Sequence, residues 1–459
     1  MKPFLSTAAA LLLALSLSNA ATAQAASVPA TAPPSSAASA SDAASAPRAP
    51  SSSPSHFHIR PVDDAWRTSL PRDADAATQA YLDRLPADVV ARSNAYFEGG
   101  YWLQLWDFLI GLAVAGILLR GRTAARVRDW CQRVGRKAFF RDALFGGFWL
   151  LASWVLSLPM TIYENFVREH QYEMATQTFA PWFGEQLIGL AVNTFAVALG
   201  VGVLYAVMRR TGERWWIWGT AVAVGLLMVV QLAGPTLFDP LFNTYKPVSD
   251  PVVRSAVLAM AKADGVPVDD VYEFDASRQT TRVSANVAGI FGSASVRLND
   301  NLLRTSLPEI RAVMGHELGH FVMNHVYKGM CELAIVIFVG FACLKWALGR
   351  LLQRHGTAWG LSGVTDVAGL PLFAAVFSAF LFVATPVLNT MVRTEEIEAD
   401  RFGLNLAREP NGMADAALEL VEYRKPDPSA FEEFMFFDHP SARSRIHDAM
   451  RWRQAMGTE

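Results

Sequence analysis

Six stretches of about 20 predominantly apolar residues recur along the chain, the length a helix needs to cross a bilayer. They lie near Trp102–Leu119, Ala143–Tyr163, Leu187–Met208, Trp216–Leu237, Cys331–Leu348 and Val367–Leu388. The fourth ends less sharply, because Pro235 and Pro240 interrupt it. Aromatic residues gather at several ends (Trp102, Tyr163, Trp215, Trp216, Trp218), as in interfacial belts. A shorter apolar core, Ala8–Leu17, follows Lys2 and precedes small residues, Ala21-Thr22-Ala23 and Ala23-Gln24-Ala25. Residues 1–25 therefore read as a signal peptide, or as a signal anchor if they are retained. Residues 26–56 are almost wholly Ala, Ser and Pro, a composition that cannot bury a core and predicts a disordered linker.

The polar stretches then fall into place. Residues 57–101 form a pre-membrane segment, and 102–237 hold spans one to four. A first non-membrane piece covers 238–330, spans five and six occupy 331–388, and a second piece covers 389–459. Within the first piece, Val271–Phe274 and Ser295–Leu298 have strand composition. Ser306-Leu-Pro-Glu309 has the form of a capping box with proline in the first turn, so a helix starts there. The fold class expected is a mainly α polytopic membrane protein with a small α+β domain.

Composition supports that division. Hydrophobic residues make up 52% of the chain and charged residues 18%, with positive mean hydropathy, which favours a multi-pass membrane protein over a soluble one. A net charge of −2 gives no electrostatic case for nucleic acid. Basic residues cluster at Arg120–Arg141, at Arg209, Arg210 and Arg214, and at Arg350 and Arg354. The positive-inside rule puts these turns in the cytoplasm, so 238–330 would face the other side by charge alone. Cys131, Cys331 and Cys343 are odd in number and lack C-x-x-C spacing, so any bound metal has to come from histidines and carboxylates.

Such residues are present. In GHELGH, 315–320, His316, Glu317 and His320 fit H-E-x-x-H on the helix predicted to begin at Ser306. One helical turn puts both imidazoles on one face, suited to two zinc ligands, with Glu317 near the water position. A catalytic zinc site takes a third protein ligand and keeps a fourth position open. After the last span, Glu396 and Asp400 lie at i, i+4 in NTMVRTEEIEADRFGLNLA, with Glu395 and Glu398 reading as a solvated acidic face. Position alone does not say which of the three glutamates binds metal. His325, five residues beyond His320, points off the ligand face of a continued helix and reads as interfacial.

GHELGH followed, after two apolar runs, by Glu396-Ile-Glu-Ala399-Asp400 resembles the type 1 CAAX prenyl proteases, integral-membrane zinc metallopeptidases. PLFN at Pro240–Asn243, SANVAG at Ser284–Gly289, VRLNDNLL at Val296–Leu303, and His439-Pro440-Ser441 with Arg445 extend the match over roughly Phe97 to Met450. The resemblance implies one Zn²⁺ per chain on His316, His320 and Glu396. It makes Glu317 the general base and His439 the donor to the developing oxyanion. Asp400 and Arg445 would support the ligands, and Asn286 would lie on an edge strand that binds substrate, unless that segment is an ordinary hairpin turn. It also implies a helical barrel enclosing an intramembrane chamber. Family members have seven spans, and here only Ala8–Leu17 could supply the seventh. The expected function is a membrane-embedded zinc endopeptidase of a bacterial inner membrane. Its partners would be the lipid bilayer and a peptide or protein substrate, with no nucleic acid and no required protein partner. Substrates would be prenylated CAAX-type peptides, other membrane-associated peptides, or misfolded membrane proteins. The alternative is a non-catalytic zinc-binding scaffold or transporter.

Overall fold

The computed structural model describes residues 59–288 and 294–457. The expected targeting segment and Ala/Ser/Pro linker, 1–56, and Gly289 of SANVAG lie outside the described residues. Each of the six apolar runs is carried mainly by one helix: α1 (Ala87–Leu119), α2 (Ala138–Ile162), α3 (Phe179–Thr211), α4 (Trp215–Ala233), and later α7 (His325–Trp359) and α8 (Leu370–Ala407). The second and fourth runs overrun their helices at the C-terminal end, and the sixth begins just before its helix. Among the described residues, five continuous helical segments are long and apolar enough to cross a membrane. One of them, Phe179–Gln231, is divided into α3 and α4 by a turn at Gly212–Arg214. Gly212 takes φ 54° there, a conformation that costs a side chain but not glycine.

α1 begins well before its apolar run, so the pre-membrane segment and the first span share one helix. Ahead of α1, two short helices, Asp64–Ser69 and Ala74–Leu82, do not stand apart. They dock on two helices near the C-terminus, α9 (Pro410–Glu419) and α10 (Ala442–Met456), burying Ala77 and Tyr81 with Ala414 and Ile446. Asp415 pairs with both Arg67 and Arg84 across that contact.

Between the membrane helices lie α5 (Pro251–Ala263), a four-stranded sheet and α6 (Leu307–Val322). The strands β1 (Tyr245–Pro247), β2 (Val268–Phe274), β3 (Ala285–Ala288) and β4 (Ala294–Asn299) are ordered β1-β2-β4-β3. β2 and β4 run parallel; β3 pairs antiparallel with β4 and forms the outer strand. Val271, Val296 and Leu298 pack against Ile310 and Met314 of α6, fixing the sheet on that helix. α7 (His325–Trp359) and α8 (Leu370–Ala407) then form a long pair whose buried Phe341, Phe373 and Phe377 join Tyr205 and Leu150 in the bundle core.

With α3 and α4 counted separately, the described residues hold six candidate crossings, so the end of α8 lies on the same side as the start of α1. The start of α1 touches the C-terminal piece, Ser93 donating to the Arg424 carbonyl at 3.0 Å. Its far end meets the basic turns, where Arg122 donates to the Thr357 carbonyl at 3.0 Å and Arg128 pairs with Asp366. The three basic turns thus gather at the end of the bundle opposite the HExxH helix.

Candidate metal centre

Ser306 starts α6. Its hydroxyl accepts from the Glu309 N–H at 3.4 Å, and the Glu309 carboxylate accepts from the Ser306 N–H at 2.6 Å. Reciprocal caps of this kind satisfy two helix-end donors at once. One turn apart on that helix, His316 and His320 place their ring centroids 4.7 Å from each other.

α8 crosses α6 backbone to backbone. A methyl on Gly403 would lie 2.7 Å from the His316 nitrogen and 3.0 Å from the Gly315 carbonyl carbon. Gly315 meets the Gly403 carbonyl oxygen in the same way. This close approach is what lets Glu396 and Asp400, earlier on α8, reach the two imidazoles. Gly403→Ala should push the helices apart at a cost of about 1–3 kcal/mol, the usual range for overpacking. We expect a lower melting temperature and weaker metal retention, measured against Gly349→Ala, whose added methyl meets no atom within 4 Å.

Three donors converge at the crossing. His316 Nε2 and His320 Nε2 are 3.0 Å apart, and Glu396 offers Oε2 at 3.4 Å from the first and Oε1 at 3.3 Å from the second. Glu396 is 1% exposed, and its Oε1 accepts no hydrogen bond among the described residues. A buried carboxylate oxygen left in that state is costly unless a cation shares it. Burial opposes charge on His316, yet Glu396 and Asp400 outweigh it and push the imidazole up to about 10. The two carboxylates draw positive charge to this position, and the donor set fits a bound metal ion.

The surrounding side chains hold these donors. His316 Nδ1 lies 2.8 Å from Asp400 Oδ1, which holds a proton on Nδ1 and leaves Nε2 as the nitrogen turned to the donor cluster. Arg445 of α10 donates to Glu396 Oε2 at 2.8 Å and pairs through Nε with Asp400 Oδ2 at 3.0 Å. His439, on the loop before α10, sets Nδ1 2.8 Å from Asp438 Oδ1 and Nε2 3.3 Å from Glu396 Oε2. Burial, followed by the Arg424 charge, lowers His439 to about 4, so its ring is neutral at pH 7. Glu317, half-buried, makes no side-chain hydrogen bond among the described residues, and burial raises its carboxyl above the ordinary range. Asn286 lies in β3 opposite Arg297, beside α6, with a buried Oδ1 that has no hydrogen-bond partner among the described residues.

The residues singled out for chemistry in the sequence therefore come to one place, apart from Asn286, which lies on the outer strand packed beside α6. Two expectations are corrected. Glu395 is not solvated but 5% exposed, because α7 packs along α8 and sets Glu332 against it. His325 does not point away from the ligand residues; it is buried against His320, because α6 ends before it. Asn324, at φ 57°, restarts the chain as α7, so helix-face counting from His320 does not reach His325. Arg424 and Asp438, which shape the charge at His439, carried no signal beyond their nearness to the HPS stretch.

The chain matches two family models in tandem. Peptidase family M48 covers residues 247–453, and a model described as the CAAX prenyl protease N-terminal part with five membrane helices covers 70–244. A Bacillus subtilis protein named uncharacterized metalloprotease YhfN is 28% identical over 353 residues, 76% of this chain and 81% of that one. The probable CAAX prenyl protease 1 of Schizosaccharomyces pombe is 25% identical over 268 residues, 56% of this chain and 54% of its own length. The crystal structure of Ste24p from S. mikatae superposes with a TM-score of 0.67 at 17% identity, covering 82% of this chain and 95% of that chain. The shared fold is a chamber-forming helical one.

Proposed function

We propose that this chain, matched by the peptidase family M48 model and by the CAAX prenyl protease N-terminal model in tandem, is a membrane-embedded metalloendopeptidase that cleaves peptide bonds with Zn²⁺ held by His316, His320 and Glu396. The donor spacing supports zinc. Ligands about 2.0–2.1 Å from a tetrahedral Zn²⁺ stand roughly 3.3 Å apart, and the three separations here are 3.0, 3.3 and 3.4 Å. Two histidines and one carboxylate also leave a fourth position open, as catalytic sites do. Zinc in such a set supplies Lewis acidity to the scissile carbonyl and lowers the pKa of water to about 7.

The chain's own groups do the rest. Glu317 takes the proton of the attacking water and passes it to the leaving amine. His439 faces the carbonyl oxygen through Nε2. The ring that donates there carries protons on both nitrogens, Nδ1–H to Asp438 and Nε2–H to the oxygen. Neutral in the free protein at pH 7, it takes up the second proton from solvent as negative charge develops, with Asp438 as the counter-charge. Asp400 and Arg445 hold His316 and Glu396 in place. β3 offers its outer edge to an extended peptide through main-chain hydrogen bonds, a mode with broad side-chain tolerance, and Asn286 lies on that strand.

That tolerance favours membrane-associated peptides and damaged or misassembled membrane proteins over dedicated cleavage of prenylated CAAX ends. The setting proposed is a bacterial inner membrane. Detergent-purified protein should hold one zinc per chain by elemental analysis and cleave both prenylated and unprenylated peptides of a fluorogenic panel. Cleavage confined to farnesylated peptides would reverse the substrate assignment.

A further inference from the structure

His320 turns Nε2 to the donor cluster, 3.0 Å from His316 Nε2 and 3.3 Å from Glu396 Oε1. Its other nitrogen, Nδ1, lies 2.8 Å from Nδ1 of His325, a side chain 3% exposed. His325 Nε2 in turn lies 3.2 Å from Glu398 Oε2, which also accepts from Lys328 Nζ at 2.7 Å. If Nε2 of His320 is to keep its lone pair for a metal, one arrangement of protons satisfies the whole chain. His320 Nδ1–H donates to His325 Nδ1, and His325 Nε2–H donates to Glu398.

We propose that His325 is a positioning residue that locks His320 in its Nδ1–H tautomer and fixes the plane of its ring. The inference rests on the metal-site reading above. His325 then does for His320 what Asp400 does for His316, with an imidazole in place of the carboxylate. It is not a fourth ligand, because one nitrogen is engaged by His320 and the other by Glu398. The left-handed turn at Asn324 makes the arrangement reachable, by folding the start of α7 back over the end of α6. Glu398 sits on α8 with Glu396, so the relay also ties α6, α7 and α8 together at the site.

The test uses full-length protein in detergent, with metal affinity measured by competition with a chromogenic chelator and the visible spectrum read after Co²⁺ replacement. His325→Leu, which keeps bulk but cannot accept a hydrogen bond, should weaken affinity about 10–100-fold, the range seen when a ligand's hydrogen-bond partner is removed, and shift the Co²⁺ bands. His325→Gln can accept from His320 and donate to Glu398, and should restore most of the affinity. Should the Leu variant fail to fold, Glu398→Ala at the half-exposed outer end is expected to give a smaller loss in the same direction. Wild-type affinity and spectrum in His325→Leu or in Glu398→Ala would overturn the proposal. So would a Gln variant as weak as the Leu variant, since bulk rather than hydrogen bonding would then be at work. A wild-type protein that binds no metal would instead sink the metal-site reading itself.

Discussion

Glu317→Gln should slow peptide hydrolysis by about 10²–10⁴-fold, the contribution expected of a positioned general base, while metal content stays at the wild-type level. The substitution keeps the shape of the side chain and removes its ability to take a proton. Glu317 is suited to the role because it follows the first histidine of α6, makes no hydrogen bond among the described residues, and is half-buried. Burial lifts its carboxyl above the ordinary range, bringing it nearer to the pKa a base needs at neutral pH. The measurement is turnover against metal content on the same preparation. A variant that keeps more than about a tenth of wild-type activity would fall short of even the lower end of that contribution and place the base elsewhere.

Arg445→Ala should be the most damaging substitution for stability. The guanidinium bridges Glu396 and Asp400, both nearly inaccessible to solvent, and burial would discourage its charge were those carboxylates not there. Removing one partner of a buried ion pair typically costs about 3–5 kcal/mol, because the other charge is left uncompensated. Here two carboxylates lose their cation together. A bound metal shares part of that charge, so the loss should be larger after chelation than before it. Melting curves with and without chelator distinguish this from a packing defect, which would cost the same in both. Arg445→Lys should recover only part of the difference, since a single ammonium cannot reproduce the two-pronged contact. Equal melting temperatures for wild type and Arg445→Ala would show that the bridge contributes nothing.

The comparison of sequence with structure is instructive element by element. The six apolar runs and the capping box at Ser306 were legible because each depends on local patterning, and the i, i+4 histidines because one helix carries both. Glu396 needed more than patterning, since three glutamates share one stretch and only the crossing of α8 over α6 selects among them. The selection is made by Gly315 and Gly403, whose lack of side chains permits the crossing. Gly315 stood inside the quoted motif, but a close approach between helices has no signature in either sequence alone. His325 was misread for a related reason. Counting along a helix assumes that the helix continues, and Asn324 breaks it. The docking of Asp64–Leu82 on α9 and α10 was beyond reach, because it joins segments more than 300 positions apart through a few ion pairs and small apolar contacts.

That docking has a consequence for biogenesis. The Tyr81 hydroxyl donates to Asn411 Oδ1 across a separation of 330 residues, and Arg84 finds Asp415 across 331. At roughly 5–20 residues per second, the ribosome takes on the order of 15–70 s to bridge such a gap. For that interval the first helices have nothing to fold against, and Glu396, Asp400, His439 and Arg445 reach the histidines only near the close of synthesis. If these residues form the site as proposed, the nascent chain gains no activity until its last span has been made, and the order of translation itself imposes that latency.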